Sequence, residues 1–261
     1  MPGAQGVEMA YCSGMRSSAL ARSLTALLAV GAVVPAGARQ APDDVPLLKA
    51  GLYTRTLARD SGPTIHYAIE VPRGYSPDAR VPLVLALHFG GEPFDESGKG
   101  VIEALVGPAL AALGAVIVAP DALAPGWDAP VNEAAVMFLL DRVARRYNVD
   151  PARVVVTGFS MGGSGTWHYA GKYPGRFSAA IPVAGRPPEL TGAWRVPTFA
   201  VNSRRDTLVP MGPTVQGIAA LKQMGVNAEM IVLERPTHFQ TSSHAEGLTQ
   251  AVPWLKALWG R

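Results

Sequence analysis

The fold of this chain is decided by one stretch, VVVTGFSMGG (Val154–Gly163). A run of β-branched residues, typical of a buried strand, leads into Gly-x-Ser-x-Gly, and a sequence compatible with a helix follows. In this strand–turn–helix context the motif predicts that Ser160 is a nucleophile on a strained turn. Gly158 and Gly162 stand two residues before and after the serine, where only small residues fit. The alternative interpretation is an ordinary glycine-rich turn between a strand and a helix.

Strand-like segments occur on both sides of this stretch. The first two alternate in polarity and are separated by Asp60-Ser61-Gly62-Pro63, which predicts a hairpin. The others are short and almost continuously apolar, as in a parallel sheet that is buried on both faces. The predicted strands are Tyr53–Arg59, Thr64–Val71, Leu83–Leu87, Ala115–Ala119, Val154–Thr157, Ala179–Val183, Thr198–Val201 and Glu229–Leu233.

Helical patterns separate most of these strands. Pro213–Met224, for example, begins with a proline and ends before Gly225, a common start and stop. An antiparallel pair followed by β–α alternation predicts an α/β fold: a mostly parallel eight-stranded sheet with helices on both faces. Functional residues of such a sheet lie in loops at the carboxyl ends of the strands. The predicted helices are Gly100–Leu113, Glu133–Tyr147, Gly163–Tyr173, Pro213–Met224 and Leu248–Trp259.

A nucleophilic serine needs a base, and the base needs an acid that orients it. In this class of sheet the chain order is serine, acid, histidine. Asp206 is the only acid in the loop after the seventh strand, and Glu234, after the eighth, is the alternative. His238 follows the eighth strand, and His244 is the alternative base. The sequence therefore predicts Ser160, Asp206 and His238 as catalytic residues.

An oxyanion hole needs two backbone N–H groups about 3 Å from the developing negative charge. Met161, directly after the serine, is the first predicted donor. The second is expected from the glycine-rich segment Leu87-His88-Phe89-Gly90-Gly91 after the third strand. Gly90 is favoured as this donor and Phe89 is the alternative, while His88 is predicted to brace the loop.

Three other ring side chains have structural interpretations. His66 lies in the hairpin, and His168, on the helix after the serine, is predicted to pack or to face solvent. Trp127, after the fourth strand, is predicted to line the substrate pocket, with packing as the alternative. No spacing of carboxylates and histidines supports a metal site, and we expect no cofactor.

Residues 1–38 are predicted to be a signal peptide. Arg16 and Arg22 precede an uncharged apolar run, Leu24–Val34, and Ala36-Gly37-Ala38 fits a cleavage site. Met15 is the possible true start. An uncleaved anchor is the alternative, although the apolar run is short for a bilayer.

The expected location is therefore secreted or periplasmic, with no stable membrane insertion after cleavage. Residues 39–49 contain two prolines, on either side of Asp43-Asp44, and are predicted to be a flexible lead-in. Residues 50–261 are predicted to form one catalytic domain. The single cysteine, Cys12, lies in the predicted signal peptide, so the mature chain would have no disulfide and no Cys-based metal site.

Composition limits the class of protein. The chain has 261 residues, of which 48% are hydrophobic, enough for one large domain with a full core. The formal charge is +3 and the basic residues are scattered, so nothing indicates binding to nucleic acid. No pattern in the sequence predicts the oligomeric state.

The chain resembles the α/β-hydrolase superfamily over nearly all of residues 50–261. The approach to the nucleophile, Asn148–Gly163, resembles that of secreted esterases of the polyhydroxybutyrate depolymerase, feruloyl esterase and phospholipase/carboxylesterase kind. The loops Asp206–Pro210 and Leu87-His88 resemble their acid and oxyanion loops. The resemblance implies an exported serine esterase that cleaves small-molecule or polymer-derived carboxylic esters through an acyl-enzyme.

Two positions depart from the family pattern. Phe89 and Thr237 stand where the family usually has glycine, and a bulky residue at 89 could narrow the acyl site. The stretch Ala184–Pro197 is short, so no cap domain is expected and the site should be open. The alternative functions are a prolyl-type or other serine peptidase and a binding module without chemistry.

Overall fold

The computed structural model describes residues 44–90, 96–190 and 192–260. Within these residues, eight strands pair into one sheet. All predicted strand segments form strands, and the largest difference is in the fifth, which begins at Val149 rather than Val154. The strands are β1 (Gly51–Leu57), β2 (Ile65–Val71), β3 (Val81–Leu87), β4 (Val116–Pro120), β5 (Val149–Phe159), β6 (Ala179–Val183), β7 (Thr198–Ser203) and β8 (Ala228–Leu233).

The strand order in the sheet is β1-β2-β4-β3-β5-β6-β7-β8. β2 pairs antiparallel with both β1 and β4, and the remaining pairs are parallel. The predicted α/β fold with a mostly parallel sheet is therefore confirmed. Parallel pairing places the ends of β3, β5, β7 and β8 at the same edge, so the loops that follow these strands can meet there.

Helices cover both faces of the sheet because side chains of a buried strand alternate between its faces. Leu83, Leu85 and Leu87 belong to one apolar core, and Val84 and Ala86 belong to a second core on the other face. The helices are α1 (Ser97–Val101), α2 (Gly107–Leu110), α3 (Pro130–Arg146), α4 (Met161–Lys172), α5 (Gly212–Gln223), α6 (Ala245–Thr249) and α7 (Ala251–Trp259). Side chains from α3, α4 and α5 complete the first core, and those from α1, α2, α6 and α7 complete the second.

Two of the predicted helices are interrupted. The segment Gly100–Leu113 comprises the end of α1, a π-helical turn over Ile102–Val106, α2 and a 3₁₀ turn over Ala111–Leu113. Pro108 has no N–H for the carbonyl four residues earlier and its ring crowds that carbonyl, so a regular α-helix cannot continue through it. The segment Leu248–Trp259 is divided between α6 and α7, and Pro253 lies in the first turn of α7.

The segment before β1 packs against the domain from residue 44 onward. Val45 is buried, the Leu48 N–H donates to the Tyr147 hydroxyl, and that hydroxyl donates to the Pro46 carbonyl. The predicted flexible lead-in over 39–49 is therefore wrong for residues 44–49, because the apolar side chains among the prolines find a buried partner surface. Residues 1–43, including the predicted signal peptide, lie outside the described residues.

The connection between β6 and β7 contains no helix or strand in residues 184–190 and 192–197. No cap domain is therefore inserted at this position, as the sequence predicted. Among the helices that the structure describes, none is both long enough and apolar enough to span a bilayer.

Candidate active site

Ser160 occupies the turn between the end of β5 and the start of α4. Its φ of 58° and ψ of −114° are unusual for a residue with a side chain. The Ser160 N–H donates to the Val183 carbonyl at 3.0 Å, and the Ser160 carbonyl accepts from the Ser164 N–H at 2.9 Å. These hydrogen bonds to β6 and α4 hold the strained backbone in place.

The two glycines of the motif lie where the backbone of other segments approaches closely. A Cβ atom on Gly158 would lie 2.5 Å from the Gly162 carbonyl oxygen, and one on Gly162 would lie 1.9 Å from the Leu87 carbonyl oxygen. Both distances are too short for any side chain. The glycines therefore allow α4 to start directly against the ends of β5 and β3, which places Ser160 at the carboxyl edge of the sheet.

The structure brings Asp206 and His238 to this serine. His238 Nδ1 lies 2.7 Å from Asp206 Oδ2, and His238 Nε2 lies 2.8 Å from Ser160 Oγ. Asp206 follows β7 and His238 follows β8, so both reach the site from strand ends. Both residues are buried, and Asp206 Oδ1 accepts from the N–H groups of Leu208 and Val209 at 3.0 and 2.8 Å.

These contacts define the proton positions on His238. A carboxylate only accepts hydrogen bonds, so Nδ1 of the imidazole carries a proton and donates it to Asp206. In the neutral ring, Nε2 then presents a lone pair to the Ser160 hydroxyl. This arrangement can accept the serine proton and stabilise the resulting imidazolium beside a carboxylate.

Neither alternative residue reaches these positions. Glu234 is exposed, and its carboxylate pairs with Arg204 at 2.9 Å. His244 is fully buried and lies against the ring of Phe159 at a centroid distance of 5.0 Å. Burial lowers the pKa of His244, so its ring is neutral near pH 7.

Gly90 lies beside Met161, since a Cβ atom on Gly90 would be 3.5 Å from both Cβ and Sδ of Met161. Met161 is the first residue of α4, so its N–H has no acceptor within the helix. The two predicted oxyanion donors are thus neighbours, next to Ser160. Phe89, the alternative donor, is half-buried, and its ring meets Phe159 edge-on at 6.3 Å.

His88 is positioned to brace the loop that carries Gly90. Its Nδ1 donates to the Phe89 carbonyl at 2.7 Å, since a carbonyl can only accept, and its Nε2 accepts from the Ala122 N–H at 3.0 Å. Burial lowers the pKa of His88, which favours this neutral form. The Trp127 indole N–H donates to the His88 carbonyl at 2.9 Å.

Trp127 is buried. It therefore packs inside the domain, and the prediction that it lines the substrate pocket is wrong. An added Cβ on Gly165 would meet the Trp127 side chain at 2.6 Å, which shows how closely α4 covers it. His66 is exposed on β2, and His168 Nε2 pairs with Glu133 at 2.6 Å on the surface of α4. Neither histidine contacts Ser160.

Exposed apolar side chains lie beside two of the site residues, a feature that sequence reasoning missed: the Phe239 ring contacts His238 at 5.8 Å, and the Leu208 N–H donates to Asp206. Phe239 is 85% exposed and Leu208 57%, and they follow His238 and Asp206 closely in the chain. Val215, in the first turn of α5, is 45% exposed. The signal available in the sequence was the presence of apolar residues directly beside polar catalytic candidates in loops. No group of three or more His, Cys, Asp or Glu side chains suited to a metal occurs in the described ranges.

Residues 99–259 match the family described as PETase: PET hydrolase-like. This match covers more than half of the chain and includes Ser160, Asp206 and His238. The chain belongs to the PET hydrolase-like family. The finer resemblance to polyhydroxybutyrate depolymerases, feruloyl esterases or phospholipase/carboxylesterases stays a prediction.

Characterised relatives of the PET hydrolase-like chain are ester hydrolases by name. It is 29% identical over 162 residues to bis(hydroxyethyl) terephthalate hydrolase of Streptomyces coelicolor, covering 59% of this chain and 51% of that protein. It is 28% identical over 163 residues to cutinase 1 of Thermobifida cellulosilytica, covering 59% of this chain and 61% of that protein. The matched region thus spans about half to three fifths of each relative's length.

Solved structures share the fold. A thermostable esterase superposes with a TM-score of 0.65 at 24% identity, covering 79% of this chain and 62% of the esterase. A ferulic acid esterase superposes with a TM-score of 0.62 at 18% identity, covering 80% and 98%. At these identities the superpositions support the α/β-hydrolase fold alone.

Proposed function

We propose that this chain is a carboxylic ester hydrolase that uses Ser160, His238 and Asp206 as a catalytic triad. The observation that carries the proposal is the position of His238, hydrogen-bonded to Asp206 through one ring nitrogen and to Ser160 through the other. A buried histidine in that arrangement activates a hydroxyl that is otherwise a weak nucleophile. The ester hydrolases among the relatives supply the reaction class.

The acylation step follows from this geometry. Ser160 Oγ attacks the ester carbonyl carbon while His238 Nε2 takes the hydroxyl proton, and the carbonyl π electrons move onto its oxygen. The N–H groups of Met161 and Gly90, with Phe89 as the alternative to Gly90, hold that oxyanion. One such donor contributes roughly 3–4 kcal/mol to the transition state in serine hydrolases. The C–O bond to the alcohol then breaks, and the alcohol leaves with the proton from Nε2.

Deacylation repeats these steps with water. His238 Nε2 takes a proton from the water as its oxygen attacks the acyl carbon. The second tetrahedral intermediate collapses, Ser160 Oγ leaves and recovers the proton, and a carboxylic acid is released. Asp206 keeps the ring oriented throughout and stabilises its charged form.

The substrate class is esters whose bulk extends away from the reacting bond, including polymer-derived esters. The absence of a cap in the described β6–β7 connection supports an open site, and Phe239 and Leu208, beside His238 and Asp206, would give it an apolar rim. Such a rim favours contact with apolar acyl or aryl groups. The printed names of the relatives, which include a terephthalate ester hydrolase and cutinases, are consistent with this class.

Export is the second part of the proposal. Residues 1–38 would direct the chain out of the cytoplasm and be removed, leaving a catalytic domain over 50–261 in a secreted or periplasmic protein. The basic residues, apolar run and small-x-small site of the N-terminus support it. The intact mass of the protein recovered from a bacterial host tests it: a start near Arg39 is expected, and a full-length chain held in the membrane would contradict it.

Covalent labelling tests the proposed chemistry. The full chain is treated with a fluorophosphonate, which reacts with an activated serine, and the modified peptide is located by mass spectrometry. Modification at Ser160, together with hydrolysis of p-nitrophenyl esters and no cleavage of Xaa-Pro peptides, is expected. Labelling with peptide cleavage alone would indicate a peptidase, and a folded protein without any label would indicate a binding module.

A further inference from the structure

Resting on the proposed function, we infer that Gln240 and His244 are positioning residues that fix the imidazole of His238 for ester hydrolysis. Neither touches Ser160. They hold the short segment that carries His238, and His244 also supports the ring on which that imidazole rests. We call Thr237, Gln240, His244 and Phe159 together the histidine brace.

Gln240 closes the turn around His238 with three hydrogen bonds to one residue. Its side-chain Oε1 accepts from the Thr237 N–H at 2.8 Å and from the Thr237 hydroxyl at 3.2 Å. Its own N–H donates to the Thr237 carbonyl at 3.1 Å. His238 lies inside this closed turn, so the backbone that aims its side chain has little freedom. Gln240 is exposed, so its amide is not there to fill the core.

His244 ties the same turn to the sheet. Its Nδ1 donates to the Gln240 carbonyl at 3.1 Å. Its ring packs on Phe159 at a centroid distance of 5.0 Å, and the ring of Phe159 also contacts His238, at 5.2 Å and an interplanar angle of 34°. Phe159 is the residue directly before the nucleophile. One aromatic ring therefore contacts both imidazoles and couples the position of the catalytic one to His244.

A histidine at position 244 buries a polar ring nitrogen, which is unfavourable and which a purely apolar residue would avoid. Its Nε2 is buried and has no hydrogen-bond partner among the described residues. Leaving a buried polar atom unpaired is unfavourable, so a phenylalanine would pack there more favourably. What histidine adds is the Nδ1–H bond to the Gln240 carbonyl. Since that carbonyl also accepts from the Ser243 N–H at 3.0 Å, loss of the imidazole leaves it paired.

Four variants separate positioning from packing. Gln240→Ala removes the Oε1 acceptor and Gln240→Glu keeps an oxygen in its place. His244→Phe keeps a ring against Phe159 without the donor, and His244→Asn keeps a donor near the Nδ1 position. Gln223→Ala, an exposed glutamine on α5, is the matched control. The measurements are kcat and KM for a short-chain p-nitrophenyl ester, with the urea midpoint for each variant.

Small displacements of a catalytic group cost up to about 100-fold in rate. We expect kcat to fall about 10- to 100-fold in Gln240→Ala and His244→Phe, with KM within about twofold. Gln240→Glu and His244→Asn should recover most of that loss, and the urea midpoint of Gln240→Ala should stay near wild type. Wild-type kcat in both Gln240→Ala and His244→Phe would overturn the inference. If His244→Phe does not fold, the comparison of kcat between Gln240→Ala and Gln240→Glu tests the inference.

The proposed function fails by a different result. If Ser160→Ala hydrolyses the ester as fast as wild type, the triad itself is wrong. If Ser160→Ala is inactive while Gln240→Ala and His244→Phe keep wild-type kcat, the triad stands and the histidine brace is wrong.

Discussion

A Cβ atom on Gly162 would lie 1.9 Å from the carbonyl oxygen of Leu87, the last residue of β3. No rotation of a side chain relieves this contact, because the carbonyl oxygen is a backbone atom and the Cβ atom would be bonded directly to the backbone. The glycine two residues after Ser160 is therefore required by the approach of α4 to β3. The same approach brings Met161 next to Gly90.

Gly162→Ala should destabilise the domain. Forcing a methyl group into a packed backbone contact costs about 1–3 kcal/mol, and more where nothing can move. The free energy of unfolding in urea measures the loss. Gly212→Ala, in the first turn of α5 with open space around its Cα, is the control and should change that free energy little. Equal effects from the two substitutions would contradict the packing argument.

Ser160 has a backbone conformation that favours glycine, with φ at 58°. Strain of this kind costs about 1–3 kcal/mol, partly offset by the extra freedom glycine has in the unfolded chain. Ser160→Gly should therefore be more stable than Ser160→Ala by about 1 kcal/mol. Both should be inactive on esters. Thermal unfolding of the two variants side by side is the test, and an alanine variant as stable as the glycine variant would show that the turn is unstrained.

Asp206→Asn should abolish most of the activity while the fold persists. An amide can still accept from Leu208 and Val209, but its NH₂ would face the Nδ1–H of His238 and favour the wrong ring tautomer. The expected loss in kcat is about 10³- to 10⁴-fold by analogy with other serine triads. Glu234→Gln, the matched change at the exposed carboxylate paired with Arg204, should leave kcat within about twofold. A larger loss in Glu234→Gln than in Asp206→Asn would reassign the acid.

Protonation of the His88 ring should make the folded protein less stable in acid. Burial lowers the pKa of His88 below its ordinary value of 6.5, so its contribution is complete above that pH and is lost as pH falls through the lowered pKa. The added proton on Nε2 would also face the Ala122 N–H, which now donates to that atom. Burial also lowers the pKa of His244, so His244 should likewise make the folded protein less stable as pH falls.

Urea unfolding at about pH 7.5 and about pH 5 tests this prediction, because a histidine of lowered pKa takes up a proton on unfolding in that interval. Wild type should lose stability at the lower pH, and His88→Gln should lose less, since glutamine can accept from Ala122 without titrating. His66→Gln, the same exchange at the exposed position on β2, is the matched control. Parallel profiles for wild type and His88→Gln would contradict the role of His88.

Much of the fold and of the candidate site was predictable because local and topological rules agree here. The continuously apolar sequences of the strands indicate that these strands are buried. The Gly-x-Ser-x-Gly motif indicates that α4 approaches the sheet closely, and the chain order places Asp206 and His238 after the last two strands. The position of His238 between Ser160 and Asp206 then follows from the common edge of a parallel sheet.

What was not predictable depends on contacts between distant segments. The packing of residues 44–49 depends on the Tyr147 hydroxyl, about a hundred positions away in the chain. Trp127 is buried because α4 covers it, which its loop sequence does not reveal. The role of Gln240 arises from hydrogen bonds within a turn whose conformation the sequence alone did not indicate. The interruption at Pro108 was indicated locally, because proline has no N–H to donate within a helix. The helical spacing of the apolar residues nevertheless favoured the prediction of a continuous helix.

Hydrolysis of p-nitrophenyl esters by wild type and by Ser160→Ala shows whether Ser160 is the nucleophile of an ester hydrolase. Ser242→Ala, at an exposed serine that follows His238 by four residues, is the control. We expect ester hydrolysis by wild type and by Ser242→Ala, and a loss in kcat of about 10³-fold or more in Ser160→Ala. Equal hydrolysis by wild type and Ser160→Ala would contradict this expectation, as would a folded wild type that cleaves no ester.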